Sequence, residues 1–201
     1  MKILTSSASP YSAKVRMAAR YAGLPFEEVA TDTASEGSDL VDRNPLGKIP
    51  TVQAEDGTVV FDSRAIMQYL DRESGRKLYP RNTAKRTQAE VLEALCDGIM
   101  DALILVVYER RFRPEEKVHQ EWIDKQWRRV ERGLDHLEAN LPRTAKNLTG
   151  AHFAIAGLLG YLALRFEGKW ERGRPKLKNW TTKFEKIFPD YAELKPHVAE
   201  S

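Results

Sequence analysis

Three short stretches carry residue types whose spacing could do chemistry. In "SASPYSAKVR", beginning at Ser7, Ser9 stands where an extended segment gives way to a helix-compatible one. Its hydroxyl is placed either to cap the first helical amides or to donate a hydrogen bond to a reacting ligand. Pro10 suits the first helical turn, where a missing N–H costs nothing. Tyr11 and Ser12 either pack and cap or line the same opening, and Lys14 and Arg16 are either solvated bases or clamps for a carboxylate. In "NPLGKIPTV", Pro45 and Gly47 allow a tight approach and Pro50 precedes a strand-like run. A cis bond before Pro50 would present the Ile49 backbone to an extended ligand, as an added strand is recognised. Lys48 beside it is either a carboxylate partner or an ordinary surface lysine. In "FDSRA", Ser63 opens a helical pattern that it caps, or else the helix start offers donor amides to a carboxylate while Asp62 pairs with an ammonium group. That second reading fits an amino-acid-like ligand.

These residues need a scaffold to converge. "KILT" reads as a short buried strand, a helix follows from Ser9-Pro10 towards Tyr21, and Gly23-Leu24-Pro25 stops it. Phe26 to Ala30 returns as a strand. After a polar helix-or-loop segment, "IPTVQAEDGTVVF" reads as two strands around Asp56-Gly57, a pair suited to a tight hairpin. "DSRAIMQYLDRES" reads as a helix with Ala65, Ile66, Tyr69 and Leu70 on its inward side. This order predicts a small mixed sheet covered by helices over residues 1–76. Gly75 and Pro80 mark a linker at 77–83, and residues 84–201 change to an all-helical pattern. Its expected helices run from Ala84 to Phe112, Glu115 to Leu141, Ala151 to Phe166 and Lys176 to Ile187. The fold class is therefore α/β followed by all-α.

Composition narrows the function classes. Lys+Arg total 32 against Asp+Glu 29, a formal charge of +3, so no cationic surplus calls for nucleic acid. "MKILTSSASP" has too short an apolar run for an export signal, and the stretches around Ile99 to Tyr108 and Phe153 to Leu164 are too short or too interrupted to cross a bilayer. A cytoplasmic chain without membrane partners is expected. Cys96, the single cysteine, excludes an intrachain disulfide and has no CxxC partner. His119, His136, His152 and His197 are scattered, with no HExxH, so no metal is expected. No GxGxxG or GxxxxGK loop awaits nucleotide phosphates.

Taken jointly, "SASPYSAKVRMAARYAGLPFEEV", "NPLGKIPTV" and "DGTVVFDSRAIMQYLD", followed by a helical half, resemble the bacterial cytosolic glutathione S-transferases, whose amino-terminal domain is thioredoxin-like. The resemblance implies that Ser9 hydrogen-bonds the glutathione sulfur and favours its thiolate, which is the nucleophile. It makes Ile49 the backbone partner of the cysteinyl portion and Pro50 a cis-proline. Asp62 and Ser63 would hold the γ-glutamyl ammonium and carboxylate, Lys48 would approach the glycyl carboxylate, and Tyr11 would border the site. Glutathione is then a substrate, with no further cofactor, and the protein a homodimer. The electrophile pocket would lie between Ser9 and the helical half, where Tyr108, Phe112 and Trp170 are candidate wall residues. One departure from the family pattern is His152, which stands where many members carry an aspartate that completes the box opened by Thr149. A stabilising His152→Asp substitution is the expectation of a missing cap.

The implied function is conjugation of glutathione to a small hydrophobic electrophile, a detoxifying transfer. A glutathione-dependent peroxidase or related thiol enzyme is the first alternative, disfavoured because Ser9 cannot form the mixed disulfide that a cysteine would. A non-enzymatic binder of glutathione or hydrophobic ligands is the second, disfavoured by the presence of Ser9 with Asp62-Ser63.

Overall fold

The computed structural model describes residues 1–33 and 39–198. Strand β1 (Lys2–Thr5) is followed by helix α1 (Pro10–Ala22), β2 (Glu27–Ala30), α2 (Asp39–Arg43), β3 (Thr51–Gln53), β4 (Val59–Phe61) and α3 (Ser63–Glu73). The four strands form one sheet in the order β2-β1-β3-β4. β1 pairs in parallel with β2 and antiparallel with β3, which pairs antiparallel with β4. The β3–β4 hairpin closes as its Asp-Gly pair predicts: Gly57 takes φ 88° and the Thr58 N–H donates to the Asp56 carboxylate at 2.9 Å. The polar segment expected before "IPTV" lies partly outside the described residues. Its described part holds α2, a short helix that the hydropathy pattern did not resolve.

Helix α1 starts at the Ser9–Pro10 step and ends at Gly23, whose left-handed backbone (φ 76°) lets its N–H return to the Arg20 carbonyl at 3.1 Å. Its alanine-rich sequence is buried on almost every side because α3 packs beside it and the helical half packs over it. Ile3 of β1 and Val52 of β3, directly opposed, join the same core. On α3 the inward face is Ile66, Met67 and Leu70, while Ala65 is exposed and Tyr69 half-buried. The expected face was thus rotated: Met67 replaces Ala65, because the large flexible side chain fills the space between α3 and the core.

The helical half contains α4 (Thr83–Arg111), a 3-10 turn (Glu115–Lys117), α5 (Gln120–Ala139), α6 (Gly150–Phe166), α7 (Pro175–Ile187) and the short α8 (Tyr191–Leu194). α5 begins later than Glu115 because Val118 leaves the helical region and His119 becomes the cap, its Nδ1 accepting the Trp122 N–H at 3.0 Å. α6 is apolar throughout since it lies between α1 and α4 and packs against α7. Among the described residues no helix is long and apolar enough to cross a membrane.

Candidate active site

Strand register decides what meets at the end of the sheet. Leu4 of β1 lies opposite Thr51 of β3, which lies opposite Phe61 of β4. The loop leaving β1, the loop entering β3 and the turn leaving β4 therefore open at the same end, and they carry Ser9, Ile49-Pro50 and Asp62-Ser63 respectively.

Ser9 is half-buried and extended (φ −79°, ψ 122°), with its Oγ accepting the Ser12 N–H at 3.2 Å. Among the described residues nothing accepts its own hydroxyl proton. A hydroxyl has one proton and two lone pairs, so capping consumes an acceptor and leaves the donor free for a ligand. The two readings of Ser9 are compatible. Ser12 contributes only that backbone N–H: its side chain is fully buried and its Oγ lacks a partner, so it does not line the opening. The loop is held from outside by the segment after α8, where the His197 N–H donates to the Ser7 carbonyl at 3.1 Å.

The second loop is built on Asn44, which is buried. Its amide Nδ2 donates to the Lys48 carbonyl at 2.8 Å and to Thr51 Oγ1 at 3.3 Å, and its Oδ1 accepts the Leu46 N–H at 3.0 Å. Gly47 turns the chain with φ 58°. The Ile49–Pro50 bond is cis, and among the described residues the Ile49 N–H and carbonyl have no partner. Lys48 is exposed and, among the described residues, forms no ion pair. At the third element it is Asp62, not Ser63, that caps: its carboxylate accepts the Arg64 N–H at 2.9 Å, while Ser63 is the buried first residue of α3. Asp62 sits at φ 68°, a left-handed conformation that costs a non-glycine residue about 1–3 kcal/mol. Exposed and strained at the sheet end, its carboxylate stands beside the amides of the helix start.

The basic residues of α1 do hold carboxylates, but those of the chain itself. Lys14 is completely buried, with Nζ 3.1 Å from Glu93 Oε1 and 2.9 Å from Asp97 Oδ1 on α4. Arg64 Nε donates to Asp97 Oδ2 at 2.9 Å, and the Tyr79 phenol donates to Glu93. Arg16 pairs with Glu28 at 2.7 Å and donates to the Leu194 carbonyl at 3.0 Å. Tyr11 donates to the Asp101 carboxylate on α4. Burial first, and the bonded carboxylate second, push the phenol's pKa far above its ordinary value, so Tyr11 stays a neutral donor. Its proton is already committed to Asp101.

Comparison with known proteins follows the same geometry. Residues 8–73 match the glutathione S-transferase N-terminal domain and residues 120–183 its C-terminal domain. The uncharacterised GST-like protein YibF of Escherichia coli is 32% identical over 82% of this chain and 83% of its own length. The chain belongs to the glutathione S-transferase superfamily. A glutathione S-transferase of Methylobacterium radiotolerans, solved with glutathione sulfonate, superposes with a TM-score of 0.90 at 30% identity, covering 100% of this chain and 96% of that one. One from Methylobacillus flagellatus, solved with glutathione bound, gives 0.89 at 32% identity over 98% and 99%. The small sheet and its helices are the thioredoxin-like part of this glutathione S-transferase superfamily fold, and the rest is its helical domain.

In this superfamily member the expected pocket walls separate. Tyr108 and Phe112 are 47% and 67% exposed and meet edge to face, with ring centroids 5.0 Å apart. Tyr108 follows Asp101 by seven residues of α4, hence lies on the same helix face about 10 Å from the Tyr11 contact. Trp170 is only 6% exposed and belongs to the helical core; its carbonyl accepts from Arg174, which also pairs with Asp135 of α5. A side chain that packs inward this way has no surface to offer a cleft. The readings from sequence passed over Asn44, Arg64, Glu93, Asp97 and Asp101. Only Asn44 left a signal, because Asn-Pro favours a turn closed by the side chain.

Proposed function

We propose that this chain binds glutathione at the sheet end and transfers its thiolate to a small hydrophobic electrophile. Ser9 carries the reading: its hydroxyl proton is uncommitted while its lone pair is held by the Ser12 N–H, which aims the group from the positive end of α1. A hydrogen bond from that hydroxyl to the glutathione sulfur stabilises the thiolate, and the thiol proton passes to solvent. The sulfur lone pair then forms the carbon–sulfur bond as the leaving group departs or the electrophile's π bond opens.

Residues 1–76 act as the glutathione-binding unit, 77–83 as the linker and 84–201 as the helical unit. The unpaired Ile49 backbone pairs with the cysteinyl portion, beside the cis Pro50. Asp62 and Ser63 take the γ-glutamyl ammonium and carboxylate, Lys48 the glycyl carboxylate, and Tyr11 lines the mouth. Tyr108 and Phe112 offer the electrophile an apolar edge. Neighbours of similar sequence solved with glutathione sulfonate and with glutathione support the binding of glutathione by this fold. The working protein is a cytoplasmic homodimer in detoxification, its assembly to be checked by sedimentation equilibrium.

The test is glutathione conjugation followed by mass spectrometry over a panel of electrophiles, with the uncatalysed reaction subtracted. Ser9→Ala is expected to lower turnover about 10²-fold, the scale of removing one donor from a developing anion, with glutathione binding retained. Turnover of an organic hydroperoxide without any conjugation would move the assignment to a peroxidase, and binding without either reaction would reduce it to a ligand-binding protein.

A further inference from the structure

At the far end of α3 the chain forms a second concave surface. A recess of about 350 Å³ lies between the end of α3, the connection after it and the start of α4, lined by Arg72, Arg76, Arg81, Arg86, Tyr79 and Asp71 among others. Four arginines and one carboxylate, that of Asp71, thus line it. That carboxylate is already saturated. Asp71 is 2% exposed; its Oδ1 accepts the Leu78 and Tyr79 N–H groups at 2.9 and 3.2 Å, and its Oδ2 accepts Arg86 Nη1 at 3.3 Å. Arg86 is equally committed, donating to Glu90 at 2.8 Å and Gln68 at 2.7 Å while lying 4.9 Å over the Tyr79 ring. Asp71, Arg86 and Tyr79 therefore make a fixed floor.

Arg72, Arg76 and Arg81 remain. They come from the end of α3, the connection and the linker, and among the described residues none of them has a carboxylate within ion-pair distance. Among the described residues Arg76 is one of two non-glycine residues at positive φ (66°), directly after Gly75 (φ 71°), and its N–H is tied to the Asp71 carbonyl at 2.7 Å. Three uncompensated cations around one concavity repel one another, and the low-dielectric wall concentrates their field outward. Guanidinium forks match phosphate oxygens two at a time. The volume is at the small end of the usual range for ligand sites.

We infer that this recess binds a small phosphate-bearing polyanion. It is distinct from the Ser9 site, since Arg72 and Ser63 stand at opposite ends of α3, about 14 Å apart along its axis. The inference does not depend on glutathione chemistry.

Isothermal titration of the full chain with inorganic pyrophosphate, at ionic strength held constant with sodium chloride, tests it. Saturable binding is expected, weakened about tenfold or more in the Arg76→Gln/Arg81→Gln variant, since each lost charge-assisted contact is worth about that much. Saturating S-methylglutathione should leave it unchanged. A parallel titration with ATP separates the sources: tighter binding than pyrophosphate marks a nucleotide-borne phosphate, weaker binding a free one. Pyrophosphate should also raise the melting temperature of the wild type and not of the variant; Arg72→Gln serves as a second variant should the double one melt abnormally without ligand. Absence of saturable binding, binding that the arginine variants do not weaken, or displacement by S-methylglutathione would each overturn the proposal.

Discussion

Ser9 and His152 show how one side chain meets two demands. Ser9 spends a lone pair on the Ser12 N–H and keeps its proton, so its removal should be felt twice. Beyond the lost turnover, Ser9→Ala is expected to cost about 1 kcal/mol of stability as a missing helix cap, measured by urea unfolding. His152 answers an expectation differently. The Thr149 N–H donates to His152 Nδ1 at 3.1 Å, and Nε2 faces the Arg143 carbonyl at 3.3 Å. The ring proton therefore belongs on Nε2, and the box at the start of α6 is closed without an aspartate. The marked gain expected from His152→Asp loses its basis, because the orphan N–H it would satisfy already has its acceptor. Burial lowers the imidazole's pKa, and protonating Nδ1 would turn the acceptor into a donor facing an N–H. The unfolded ring titrates near about 6.5. Its contribution to stability is thus complete above that pH and is lost as pH falls from there through the lower folded value. Unfolding free energies of wild type and His152→Gln between about pH 8 and pH 5 should converge toward the acid end; parallel curves would show that the ring does not titrate with folding.

At the scale of elements, close approach decides what the helices can do. A Cβ built on Gly157 of α6 would stand 2.7 Å from the Pro10 carbonyl oxygen, a backbone atom that cannot rotate away. Gly157→Ala should therefore cost about 1–3 kcal/mol as overpacking, and should lower turnover as well, because Pro10 adjoins Ser9. Gly98 of α4 is the matched control: nothing lies within 4 Å of its added Cβ, so Gly98→Ala should stabilise the helix by up to about 1 kcal/mol. Thermal melts and initial rates of the two variants check both signs. The order of strands and helices was legible in the sequence, since Pro10, Gly23 and Asp56-Gly57 act on their own turns of chain. The later start of α5 and the rotated face of α3 were not, because a cap at His119 and the filling of space by Met67 depend on neighbours that periodicity does not report.

Across the whole molecule, the junction between the sheet-bearing and helical parts carries a buried polar chain within its apolar packing. Arg64, Asp97, Lys14, Glu93 and Tyr79 run from the start of α3 to the floor of the arginine recess. Replacing Lys14 with methionine would leave two carboxylates buried and one cation to share, so Lys14→Met is expected to destabilise the fold by about 3–5 kcal/mol in urea titration. A loss under about 1 kcal/mol would mean that water reaches the pair. The sequence by itself determined the two-part architecture, the start of α1 at Pro10, its stop at Gly23 and the Asp56-Gly57 turn, since these follow from interactions within a few residues. Only the tertiary structure decided that Lys14 is buried against residues 79 and 83 positions away, that Tyr11 is bound to a carboxylate 90 positions away, and that Trp170 faces the core. Charge pairing in a protein interior is set by which helix faces pack together, and that follows from the shape of the whole core, not from local spacing.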